Sequence, residues 1–139
     1  MATRASIRFI DNKGNFVANI YHHYDGYPGY LGNKLKEIGN KLKEIIDGGP
    51  IENGISGRPV LGEFFNGFGC LVASVVAKLK TSPGNVYLYT EKDFGNVHED
   101  FVYDVVENAE GNGVHVFVSN NSGEEWHDLD DVLSGDVNI

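Results

Sequence analysis

A chain of 139 residues is long enough to bury one hydrophobic core without help from a metal or a disulfide. Its single cysteine, Cys70, excludes an intramolecular disulfide framework, and no apolar run approaches the length of a membrane-spanning helix. The net charge of −9 is segregated: residues 1–92 carry all 11 Lys and Arg against 8 acids, and residues 93–139 carry 12 acids with no Lys or Arg.

Taken in chain order, residues 5–10 alternate, with Ile7 and Phe9 on one face and Arg8 on the other, as in a half-buried strand. Asp11 to Asn15 is a turn signal, and residues 16–23 resume as a strand, which together predict an N-terminal β-hairpin. In residues 30–46 the apolar positions Leu31, Leu35, Ile38, Leu42, Ile45 and Ile46 recur at steps of three and four, the stripe of an amphipathic helix. The hexapeptide Asn-Lys-Leu-Lys-Glu-Ile occurs at 33–38 and again at 40–45, a local duplication that keeps the stripe in phase.

Residues 48–60 hold four glycines and two prolines and read as a loop, with Arg58 the only cation between Lys43 and Lys78. Residues 61–80 predict a second helix whose apolar residues, from Phe64 to Leu79, wrap much of its circumference and imply deep burial. Cys70 falls within this apolar run and reads as a small buried hydrophobe rather than a reactive thiol. Its other small residues, such as Gly69, Ala73 and Ala77, offer room for close approach by another element.

Three strands are expected at 85–90, 100–106 and 113–118, the last two joined by a turn at 108–113. A short acidic helix is expected between Glu124 and Ser134. The order is β-β-α-α-β-β-β-α: a single α+β domain over 1–139, with a largely antiparallel sheet packed on one buried helix and an acidic tail or helix at 126–139.

The chemically dense stretch is 20–32, which holds four of the seven tyrosines and two of the five histidines in a glycine-hinged corner. His22 and His23 are adjacent, so in a strand they point to opposite faces and cannot share a metal without a bend. His23 and Asp25 fall on one face only if the strand continues. No spacing matches a zinc signature, no serine stands in a nucleophile elbow, and Asn66 to Gly69 follows no strand, so it is not a dinucleotide fingerprint. No cofactor, no metal and no catalytic residue is expected.

The tyrosines suggest recognition instead. Tyr21, Tyr24 and Tyr27, with Tyr30 beside them and Tyr87, Tyr89 and Tyr103 from later strands, can form a stacking pocket for a flat ligand. His22, His23, Asp25 and Arg58 are the polar groups placed to orient a ribose or phosphate.

Strand, Tyr-His-His-Tyr-Asp-Gly-Tyr-Pro, Gly-x-x-Leu, then Phe-Asn-Gly-Phe-Gly-Cys-Leu and Pro-Gly-Asn-Val-Tyr-Leu-Tyr resembles a group of small accessory proteins encoded by bacteriophages and prophages, over roughly residues 5–106. The resemblance implies a setting, action on host defence, and assigns no residue a role. With the absence of catalytic signatures and of an apolar leader or span, and with the tyrosine corner, the expectation is a non-enzymatic, cytoplasmic, homo-oligomeric protein that sequesters a nucleotide-type immune signal. The alternative is an acidic nucleic-acid mimic that occludes a basic host defence protein, such as a CRISPR or nuclease effector. A small metal-dependent hydrolase built on His22, His23 and Asp25 ranks third. Direct nucleic-acid binding is not expected of the acidic third, which repels phosphates, and no membrane association is expected.

Overall fold

The computed structural model describes residues 3–37, 67–90, 99–111, 113–120 and 124–139. The alternating segments become strands within about a residue of their expected ends: β1 (Ala5–Ile10), β2 (Phe16–His22), β3 (Val86–Tyr89), β4 (Phe101–Glu107) and β5 (Val114–Ser119). A two-residue strand, β6 (His127–Asp128), completes one sheet in the order β3-β2-β1-β4-β5-β6. The helices are α1 (Gly67–Leu79) and α2 (Leu129–Leu133), and Pro28–Gly32 forms a π-helical turn that runs into α-helical residues 33–37. This is an α+β arrangement.

The β1–β2 hairpin closes as its turn chemistry demands. The Asp11 carboxylate accepts from the backbone N–H groups of Lys13 and Asn15, each at 2.9 Å, and Gly14 takes φ +82°. The Asn15 hydrogen bond holds the Asp11 carboxyl below its ordinary pKa. The β4–β5 turn closes similarly, with Asn108 N–H donating to Gly113 O at 2.9 Å.

Pairing is antiparallel except at the centre, where β1 and β4 run parallel with Ile7 opposite Tyr103. The chain therefore leaves edge strand β3 and returns beyond β2 and β1 to add β4 on the free side of β1. Both described ends of that connection touch the sheet face opposite the helices: Thr90 O accepts from Asn19 Nδ2 at 3.0 Å, and Glu99 Oε2 accepts from Ser6 Oγ at 2.5 Å. On this face Ser6, Asp104 and Ser119 are also buried, Ser6 against Glu99 and Asp104 against Arg8.

The core lies on the helix side, where Ile7, Phe9, Ile20, Tyr103, Val105 and Val118 meet Leu31, Leu35, Leu71, Val75, Leu79 and Leu129. Burying each such side chain contributes about 1.5–3 kcal/mol. In α1 the buried residues Leu71, Val72, Val75 and Leu79 form a stripe, while Gly69, Ala73 and Ala77 are exposed. The small residues thus face away from the core and do not serve close packing among the described residues. Cys70 is only partly buried, against the edge of the core.

The C-terminal segment departs from its expected single helix. Asp128 is extended (ψ 131°), and its carboxylate accepts from Asp130 N–H at 2.9 Å, so the helix starts only at Leu129. His127 and Asp128 instead pair with Val118 and Phe117 of β5. The expected helical residues 38–46 and 61–66, and the loop 48–60, lie outside the described residues.

Candidate functional site: an aromatic face at the β2–β3 edge

The corner after β2 is built by local constraints. The strand ends at His22, Asp25 takes the left-handed conformation (φ 56°), and Gly26 N–H donates to Thr3 O at 2.9 Å. Asn85, itself at φ 65°, accepts twice: its carbonyl from His23 N–H and its side-chain oxygen from Tyr24 N–H, both at 2.8 Å. Tyr103, fully buried, donates its hydroxyl to Gly26 O at 2.7 Å. Pro28 then opens the π-helical turn, whose Leu31 enters the core.

Strand register decides which tyrosines meet. Tyr21 lies opposite Tyr87 and Asn19 opposite Tyr89, and β1 continues the same face with Ser6 and Arg8. Tyr21 stacks on Tyr89 with ring centroids 5.4 Å apart and planes at 17°, and on Tyr87 at 6.0 Å and 25°. Two residues on, His23 is on the same side: its Nδ1 shares a 2.5 Å hydrogen bond with the Tyr21 hydroxyl, and Tyr24 packs edge-on against its ring at 4.5 Å. Burial raises the Tyr21 hydroxyl pKa, so it stays protonated and holds this bond. Tyr24 and Tyr87 remain 55% and 45% exposed, the two accessible rings of the group.

Of the residues singled out in sequence, Tyr21, His23, Tyr24, Tyr87 and Tyr89 come together. His22 does not: it points to the helix side, 3% exposed, with its Nδ1 unpartnered and its pKa lowered by burial. Asp25 lies past the strand end, so the face shared with His23 is lost, though its charge still acts on His22. Tyr27 pairs with Tyr30 at 6.4 Å, apart from the main cluster. Tyr103 belongs to the core and is not part of the aromatic face. Arg58 lies outside the described residues. No group of three His, Cys, Asp or Glu able to hold a metal occurs among the described residues.

The arrangement is a platform rather than the expected pocket. A base sandwiched between rings needs about 3.5 Å of contact distance on each side, and Tyr21 and Tyr89 already fill that space with each other. A flat ligand meets the outer faces of Tyr87 and Tyr24 instead.

Three residues near this face carry no motif in the sequence. Lys80 places its ammonium 5.6 Å from the Tyr87 ring centroid while donating to Gly84 O and Val86 O. Arg4 acts electrostatically on Tyr21. Asn19, in the interior of β2, was legible only as a polar residue of low strand propensity between Ala18 and Ile20.

Comparison with protein-family models, with curated proteins and with solved structures finds no significant match.

Proposed function

We propose that this is a non-enzymatic binding protein, a bacteriophage accessory factor that counters host defence by holding a nucleotide-type signal against the aromatic face. The observation that carries this reading is the gathering of Tyr21, His23, Tyr24, Tyr87 and Tyr89 on one side of the β2–β3 edge, with Tyr24 and Tyr87 accessible. Stacking on tyrosine is sequence-tolerant because every base has a π-face, and Lys80 and Arg4 supply local positive charge for a phosphate. A panel of cyclic mononucleotides, cyclic dinucleotides and NAD-derived nucleotides should raise the melting temperature, and Tyr87→Ala should abolish the shift. Ligand released by heat should have unchanged mass. If every member leaves melting unmoved, the reading fails; an altered product would point to the hydrolase.

A second reading rests on the other end of the sheet. Glu124, Glu125, Asp130, Asp131 and Asp136 are all exposed around β6 and α2, with Asp130 paired to Lys36 at 3.0 Å and Glu125 3.4 Å from His127 Nε2. Such a surface fits a basic protein partner, which should then co-purify in a salt-sensitive way.

A further inference from the structure

Asn19 is 95% enclosed, with 5% of its surface exposed, and its Oδ1 has no hydrogen-bond partner. Its orientation is not arbitrary: Nδ2 donates to Thr90 O at 3.0 Å, and a flipped amide would set two oxygens against each other. The acceptor is therefore fixed on the aromatic face, two residues from Tyr21, directly opposite Tyr89 and beside Arg8 in register. Arg8 grips Asp104 through Nε and Nη2 at 2.7 Å each and makes no hydrogen bond to this oxygen.

A buried acceptor left open is costly, because the carbonyl oxygen has given up its water. Around it stand rings suited to a flat ligand and backbone groups already committed to the sheet. What the position lacks is a donor.

We propose that Asn19 is the base-reading residue of this face, accepting a hydrogen bond from the exocyclic amine of a stacked nucleobase. The inference rests on the stacking reading above and names its ligand class: amino-bearing bases are selected over those with a carbonyl at that edge. An oxo base sets its own lone pairs against Oδ1 and leaves the acceptor unsatisfied, and a site built around a buried polar group rejects such an analogue strongly. Because Oδ1 is closed to bulk water, binding requires that Tyr89, directly opposite Asn19, swing aside so that the edge of a base stacked on Tyr87 can reach the acceptor.

The test needs matched pairs: 3′,5′-cyclic AMP against cyclic IMP, and cyclic CMP against cyclic UMP, titrated by calorimetry. Wild-type protein should bind the amino member of at least one pair about tenfold more tightly than its oxo counterpart. Asn19→Ala should bring the two members of that pair to equality, whereas Tyr87→Ala should weaken both alike. The wild-type comparison stands even if Asn19→Ala fails to fold. Equal binding within each wild-type pair, or discrimination that survives Asn19→Ala, overturns the assignment while leaving the stacking reading intact. Failure of all four nucleotides to bind, with the wider panel also inert, overturns both.

Discussion

At the scale of single residues the corner at 21–28 is held by contacts that leave no slack. A methyl group on Gly26 would lie 2.7 Å from the Ala5 Cβ and 3.0 Å from Thr3 O, both on backbone-fixed partners. Gly26→Ala should therefore cost about 1–3 kcal/mol, read as a lower midpoint in urea with an unchanged slope. Tyr103→Phe should cost a similar amount, about 1–3 kcal/mol, because it strips Gly26 O of its donor inside the core. Burial pushes the Tyr103 hydroxyl pKa upward, so the loss should be constant below about pH 10 and shrink above it, where the unfolded wild-type chain ionises while the native state resists.

His22 behaves in the opposite way. Its folded pKa lies below the ordinary 6.5, so in acid the unfolded chain takes up a proton that the native state resists. Stability should fall as pH drops below about 6.5, and His22→Gln should flatten that part of the melting profile. Asp11 and Asp128, whose pKa values are lowered, add their losses only below the ordinary 3.8. At Asp128 burial opposes ionisation, but the His115 imidazole and the Asp130 N–H outweigh it. A profile flat from pH 7 to 5 would contradict the placement of His22.

At the scale of elements, period-two alternation was enough to locate the strands, because each must show one face to the core. Pairing was a different matter. Nothing local distinguishes a hairpin partner from a strand 96 residues away, and the parallel β1–β4 contact at the sheet centre left no trace in periodicity. Its side-chain signature appears only in three dimensions: Arg8 grips Asp104 directly opposite in register, with its guanidinium 5.3 Å from the Phe16 ring centroid and 5.5 Å from that of Trp126. For the same reason Tyr103 was grouped with the other tyrosines, although strand register turns it to the helix side. Tyr21 and His23 were legible as neighbours by their two-residue spacing, but Tyr24 joins them only because Asn85 holds the turn.

The ion pair also makes the pairing testable. Side chains at 18% and 12% exposure are largely desolvated, so Asp104→Asn should leave the Arg8 charge poorly matched and cost about 3–5 kcal/mol. Replacing both partners, as in Arg8→Leu with Asp104→Leu, should recover much of that loss, as a double-mutant cycle on urea midpoints would show. Strict additivity of the two changes would argue against the β1–β4 register.

At the scale of the whole molecule, sheet order separates the two surfaces that suggest function. The aromatic face belongs to the β3 edge and β6 lies at the other, five strand spacings or about 24 Å away, while α2 folds back from β6 to pack on the Pro28–Gly32 turn, where Asp130 pairs with Lys36. The net charge of −9 alone argues against holding a phosphate ligand. That argument weakens once the acids are placed, because they are exposed charges that act over only about 8 Å at physiological salt, and Asp130 is already paired with Lys36. Neutralising Glu124, Glu125, Asp130 and Asp131 to their amides should therefore change nucleotide affinity by less than about twofold at physiological salt, measured by calorimetry. The same variant should lose any salt-sensitive capture of a basic protein, since that association depends on the acidic surface itself. Tyr87→Ala should do the reverse. A variant at either edge that disabled both activities would mean that the edges are not independent, and that one partner spans the sheet.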